Sequence, residues 1–180
     1  YISSIDDSKK LNDMKGPCMI IAASGMCEGG RILHHLKHAI QDPANVIVIV
    51  GFIWLAGAIG AAICRRFAGY GARVGVFDKN VEGARKLAAE IKGFASGVDI
   101  TDYDAVGKEI ARFEKECGPT DVLVNNAGWD KFVNFVDTTP DLWEQVIAIN
   151  LRGPLNMSHF VLKGMVARAH GRVVNIASDA

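Results

Sequence analysis

Val46-Ile47-Val48-Ile49-Val50-Gly51-Phe52, followed by a helical pattern over 58–69, is the stretch from which the fold can be read. Five consecutive β-branched residues show no polar alternation, so a strand here has no face to give to water. Such a strand belongs inside a parallel sheet covered by helices on both sides. Outward from it the same kind of run recurs at Cys18–Ala23, 73–77, weakly at 95–100, at 121–125 and at 172–176. Helical patterns fill the intervals near 29–41, 58–69, 81–92, 102–117 and 141–169. This β-α-β-α rhythm with brief loops predicts a three-layer, doubly wound α/β domain with a mostly parallel sheet of six strands.

Helix signals agree. Thr101-Asp102 offers an N-cap, and Thr139-Pro140-Asp141 supplies a cap, a first-turn proline and an early acid. Gly118-Pro119 and Gly171 are placed to stop helices. Residues 1–16 are polar and irregular and read as a tail or short cap. No repeat, low-complexity segment or linker divides the chain, so 1–180 is expected to be a single domain.

The 180 residues are 49% hydrophobic and 22% charged, enough for one substantial core. Twenty basic and 20 acidic residues cancel, so neither nucleic acid nor an anionic membrane surface is an expected partner. The apolar stretch 46–62 is broken by Gly51, Gly57 and Gly60 and is short for a membrane span. No signal peptide or lipidation motif is present. Cys18, Cys27, Cys64 and Cys117 lack CxxC spacing and read as reduced thiols, hence a cytoplasmic setting. Tyr1 in first place, and an end just past an apolar run, suggest a trimmed or engineered chain.

Two strand-to-helix turns carry glycines. Such a turn lets backbone approach a pyrophosphate, and the helix N-terminus adds unpaired N–H groups and a positive dipole end. Ser24-Gly25-Met26-Cys27-Glu28-Gly29-Gly30 makes Gly25 and Gly29 candidate anion contacts. Its Glu28 would repel phosphate, and a plain tight turn is the alternative. His34 and His38 have i, i+4 spacing but no third ligand, so no metal site is expected. Cys27 has no nameable base, while His159 and His170 stand alone.

From about residue 58 onward the chain resembles the N-terminal portion of a short-chain dehydrogenase/reductase. Ala61-Ala62-Ile63-Cys64-Arg65-Arg66-Phe67-Ala68 resembles the helix after that family's glycine turn, and Val76-Phe77-Asp78 its second strand ending in an acid. Asp99-Ile100 resembles the pair that flanks adenine, and Asn125-Asn126-Ala127-Gly128 the NNAG motif. Ile149-Asn150-Leu151 and the run Gly171 to Ser178 match the next two landmarks, and Gly128-Trp129-Asp130 has an alicyclic hydroxyacyl-CoA dehydrogenase flavour. The resemblance implies NAD as the one cofactor to consider, though none is fixed. Asp78 would accept the ribose hydroxyls and repel a 2′-phosphate; capping of the helix near Val81 is the alternative. Asp99, Asn126 and Gly128 would form the adenosine side, with strand-tying as the structural alternative for Asn126.

The family's turn reads T-G-x-x-x-G-x-G, and this chain reads Ile53-Trp54-Leu55-Ala56-Gly57-Ala58-Ile59-Gly60. Only Gly60 keeps its place; Gly57 falls at a variable position. The resemblance also implies a catalytic Ser, an Asn, and a Tyr followed four residues later by a Lys. Ser178 and Asn150 match the first two. Tyr1, Tyr70 and Tyr103 are followed at that distance by Ile5, Val74 and Gly107. Ser178 and Asn150 are therefore residual, and the chain as it stands is expected not to be an enzyme; its ancestral class is NAD-dependent dehydrogenase.

Residues 17–52 resemble a different source. Pro17 to Arg31, then Leu33-His34-His35-Leu36-Lys37 and Asp42-Pro43, look like a β-CASP segment of metallo-β-lactamase-type ribonucleases, without the HxHxDH metal motif. Two families joined mid-fold imply a chimeric or designed, de novo Rossmann-like scaffold with no complete active site. The rival is an NAD(H)-binding fragment of a dehydrogenase, and a third class is an RNA-binding module. The winding predicts a sheet order 4-3-2-1-5-6 in chain order, with the first strand inserted between those at 46–52 and 121–125. The alternative puts the first strand at an edge. An open edge at 172–176 would favour a homodimer.

Overall fold

A computed structural model describes residues 18–23, 45–51 and 55–177. The expected tail, the helix at 29–41, Gly25, Gly29, Cys27, His34, His38 and Ser178 lie outside the described residues.

The strands are β1 (Cys18–Ala23), β2 (Val46–Val50), β3 (Arg73–Asp78), β4 (Phe94–Gly97), β5 (Val122–Asn125) and β6 (Arg172–Ala177). The helices are α1 (Leu55–Gly69), α2 (Val81–Ile91), α3 (Tyr103–Cys117), α4 (Pro140–Ile147) and α5 (Gly153–Ala167). Strands β2 to β6 form a parallel, Rossmann-like core, and β1 extends the sheet in parallel beside β6. The order is β1-β6-β5-β2-β3-β4. This corrects the predicted 4-3-2-1-5-6.

The reason is that β2 and β5 are locked together along their whole length. Their register runs from Ile47 opposite Val122 to Val50 opposite Asn125. Below it, Asp121 N–H donates to Val46 O at 2.8 Å and its Oδ2 accepts from Val46 N–H at 3.0 Å. Above it, Asn126 N–H donates to Val50 O and its Nδ2 to Gly51 O at 2.9 Å. No gap is left for a strand. Cys18 to Ala23 pair instead with Arg172 to Ala177, so the β6 edge expected to be open is occupied.

The apolar run at β2 is explained by its two faces. Ile47 and Ile49 enter one core layer with Val74, Val76, Val122 and Val124, under Ile63, Cys64 and Phe67 of α1 and Leu87 of α2. Val46, Val48 and Val50 enter the other with Leu123 and Val173, under Val106, Ile110 and Phe113 of α3 and Met157, Val161 and Met165 of α5. Both halves of the period-2 pattern are buried, so neither is polar. Gly75 of β3 makes room for Phe113, whose ring a Cβ there would meet at 2.6 Å. Burial pushes the Cys64 thiol up to about 12 against the opposing Arg65 charge, so it acts as a small core hydrophobe.

Caps fall where the sequence places them. Asp102 accepts from Ala105 N–H at 3.0 Å and Thr139 from Leu142 N–H at 3.4 Å. Gly118 ends α3 at φ +99. The helix expected over 141–169 is divided by a π turn at Ala148–Arg152. Pro154 has no N–H for the Asn150 carbonyl, and Gly153 N–H reaches back to Ala148 O instead. Among the described residues no helix is long and apolar enough to cross a membrane.

Candidate functional site

Parallel sheets place their ligands beyond the carboxyl ends of the strands, where the winding reverses direction. Here that point lies between β2 and β5, whose crossovers leave in opposite directions. A cleft of about 360 Å³ opens there. Val50, Gly51, Asp78, Asp99, Gly128 and Gln145 are among its lining residues, with Phe77, Val98, Ile100 and Ile149 giving apolar wall.

Each polar group is set by its local chain. Asp78 ends β3, is only 8% exposed, and its Oδ1 accepts from Asn80 N–H at 2.7 Å. It does not cap α2: that is Asn80, whose Oδ1 accepts from Gly83 N–H at 3.0 Å. Asp78 lines the cleft. Asp99 follows β4 and accepts from Thr101 N–H and hydroxyl at 3.0 and 2.8 Å. Lys79 crosses to it with Nζ to Oδ2 at 2.7 Å. Burial pushes the Asp99 carboxyl up, but the Lys79 and Thr101 hydrogen bonds outweigh it and hold the group below the usual carboxylate range. Lys79 carries no motif of its own in the sequence; its one signal there is a charge directly after a strand-ending acid.

Behind the cleft, Asn156 of α5 donates to Ile100 O at 2.8 Å, and Gly153 lets the π turn close over the Ile100 side chain. Asn126 ties β5 to Gly51, the structural role weighed for it. Asn150 sits in the π turn and clamps the loop after β5. Its Oδ1 accepts from Trp129 N–H at 2.8 Å and its Nδ2 donates to Trp129 O at 2.7 Å. Gly128 is thus fixed beside the cleft from the opposite wall. Tyr70 and Tyr103 lie elsewhere; Tyr103 packs on Phe160 with centroids 4.7 Å apart. Among the described residues no three His, Cys, Asp or Glu side chains group as a metal site.

The other end of the cleft differs. Gly60 lies buried under the end of β2, where any Cβ would overlap Gly51 O. This is the close strand–helix approach that the last glycine of such turns serves. Gly57 lies inside α1, which already begins at Leu55. Gly51, at φ +87, donates its N–H to Phe77 O at 2.8 Å and gives its carbonyl to Asn126.

A parallel α/β sheet with a cleft at the reversal point and an acid ending the neighbouring strand defines the nucleotide-binding class of doubly wound folds. More narrowly, the chain belongs to the short-chain dehydrogenase family: the short chain dehydrogenase model matches residues 45–180. A Beta-Casp domain model matches residues 1–56. The chain is 42% identical over 121 residues to an acetoacetyl-CoA reductase of Shinella zoogloeoides, covering 67% of this chain and 50% of that protein. It is 35% identical over 128 residues to a sorbitol dehydrogenase of Cereibacter sphaeroides, covering 69% and 50%. Among solved structures, NAD+-bound xylitol dehydrogenase matches at TM-score 0.68 and 28% identity, covering 73% of this chain and 52% of that one. Serine dehydrogenase from Escherichia coli matches at TM-score 0.67 and 29% identity, covering 74% and 62%. The chain spans about half the length of the curated relatives it matches.

A nicotinamide dinucleotide fits this arrangement only in part. Asp78, Asp99, Ile100 and Gly128 suit an adenosine. At the end of β2 both polar groups of Gly51 are bonded within the protein, and residues 52–54 of the turn lie outside the described residues. No described cation stands at that end of the cleft to replace them.

Proposed function

We propose that this chain is the coenzyme-cleft portion of a short-chain dehydrogenase-type oxidoreductase, able to hold the adenosine end of NAD(H) without completing hydride transfer. The observation that carries the reading is Asp78, buried at the end of β3 and lining the cleft at the sheet's reversal point. A carboxylate there accepts from vicinal ribose hydroxyls and repels a 2′-phosphate, so NAD is favoured over NADP. Asn150 and Ser178 remain as residual members of a catalytic set whose Tyr-x-x-x-Lys is not found in the 180 residues. The names of the relatives, an acetoacetyl-CoA reductase and a sorbitol dehydrogenase, support an oxidoreductase ancestry for the 45–180 part.

We read the Beta-Casp match at 1–56 beside the dehydrogenase match at 45–180 as a chimeric, engineered origin, with the first piece serving to extend the sheet. The unpaired thiols Cys64 and Cys117 suit a reducing, cytoplasm-like setting. Self-association belongs to the same proposal. Trp143, Ile147, Leu151 and Leu155 stand exposed at four-residue intervals along α4, the π turn and α5. Static light scattering that gives only the monomer mass at every concentration removes that part.

Titration with NADH, followed by its fluorescence, tests the central reading. Saturable submillimolar binding, weakened by Asp78→Ala, is expected, with no steady turnover. Absence of saturable binding overturns it.

A further inference from the structure

We propose that Asn156 is a positioning residue of the cleft: it sets the tilt of the Ile100–Thr101 peptide and, through that peptide, where the Asp99 carboxylate stands. The positioning stands on geometry alone, and its consequence for NADH rests on the coenzyme-cleft reading above.

Asp99 to Asp102 form a tight turn between β4 and α3, closed by Asp102 N–H to Asp99 O at 3.0 Å. The peptide at its centre joins Ile100 to Thr101, and it is held at both ends. Its carbonyl accepts from Asn156 Nδ2 at 2.8 Å. Its N–H, on Thr101, donates to Asp99 Oδ1 at 3.0 Å. A peptide unit is planar, so the two ends turn together. What fixes the carbonyl therefore fixes the N–H, and the N–H holds the carboxylate.

The start of α5 is shaped for this contact. The helix begins at Gly153, directly after the π turn, and a Cβ there would overlap Ile100 Cδ1. Three residues on, and so on the same side of the helix, Asn156 reaches the Ile100 carbonyl. The bond is buried: Asn156 is 8% exposed and Ile100 7%. Shortening Asn156 leaves a buried carbonyl without that donor, a cost relieved by turning it toward water. The same rotation swings the Thr101 N–H off Asp99. Lys79 Nζ, at 2.7 Å, still reaches the carboxylate, so the group is displaced rather than released. Asp99, Ile100 and Thr101 all line the cleft, and its wall moves with them.

Carbon-detected NMR of the full 180-residue chain reads the carboxyl titrations directly. In Asn156→Ala the Asp99 titration is expected to move to higher pH, because its carboxylate loses a donor. Glu90, bonded to Arg65 on the other face of the sheet, is expected to keep its midpoint and so excludes a general loosening. A fixed Asp99 midpoint, or a Glu90 midpoint that moves as far, overturns the positioning role. The unchanged chain supplies a second measurement. Its Asn156 side-chain amide protons are expected to exchange with solvent at least about tenfold more slowly than those of exposed Asn134, and equal rates overturn the proposal without any variant. Titration with NADH then reads the consequence, with binding about threefold or more weaker in Asn156→Ala. Equal dissociation constants would sever Asn156 from the cleft. If the unchanged chain does not bind NADH, the coenzyme-cleft reading falls, and the Asp99 titration still decides the positioning.

Discussion

Two strand ends flank the cleft, and they spend their polar groups in opposite ways. After β3 the chain reads Asp78-Lys79-Asn80: one carboxylate lines the cleft, one ammonium pairs with Asp99, and one amide oxygen caps α2. After β2 it reads Gly51-Phe52-Ile53-Trp54, and Gly51 turns its N–H and carbonyl inward to Phe77 and Asn126. A turn with polar side chains can satisfy its backbone locally and still offer groups to a ligand. A strand end that gives its backbone to neighbouring strands, as Gly51 does, keeps neither group for a ligand. The same architecture thus yields an open strand end at Asp78 and a closed one at Gly51.

Gly51→Val strikes the closed end hardest. A Cβ there would sit within van der Waals overlap of the Ala127 backbone, in a left-handed conformation that a β-branched residue resists. Strain and overpacking together predict a loss of about 4 kcal/mol in urea unfolding. A loss under about 1 kcal/mol would show that the approach of Gly51 to Ala127 is not tight in solution. Asn126→Ala removes the amide from Gly51 O and is expected to cost about 2 kcal/mol, because it leaves that carbonyl short of a partner. Any gain of NADH affinity in this variant would mean that the freed end of β2 can serve phosphate after all.

At the open end the effects move from stability to binding. Asp78→Ala is expected to weaken NADH at least about tenfold, worth about 1.4 kcal/mol, while the unfolding midpoint moves less than for Asn126→Ala. An unchanged dissociation constant would count against the role of Asp78 in the cleft. Smallest is Lys79→Ala. Lys79 is 81% exposed, so its pair with Asp99 is worth under about 1 kcal/mol. Asp99 is held below its unfolded value, so its contribution is present above the ordinary carboxylate range and fades as the pH falls through the folded value. Carbon-detected NMR should show the Asp99 titration moving to higher pH in Lys79→Ala; a fixed midpoint would separate the two groups.

Much of the frame is legible because its signals are local. The unbroken apolar run of β2 announces burial on both faces, Asp102 and Thr139 announce helix starts, and Gly60 keeps a turn position whose Cβ would strike backbone. The candidate site is legible in its family residues, Asp78, Asp99, Asn126 and Gly128, but not in how they are used. Lys79 enters only because β3 and β4 lie side by side. Asn150, matched to a catalytic position, has both side-chain polar groups on the Trp129 peptide, a pairing across 21 residues of chain.

By itself the sequence determined which segments become strands and helices, which faces they bury, and that these 180 residues contain no Tyr-x-x-x-Lys. Tertiary structure alone decided that β1 lies outside β6, that β2 and β5 close on each other, and that Gly51 gives both its polar groups to neighbouring strands. The reason is physical: periodicity and caps depend on neighbours a few residues apart, whereas strand order depends on which of several similarly apolar strands pair. Val46–Val50 would suit any interior neighbour; the clasps at Asp121 and Asn126 choose β5.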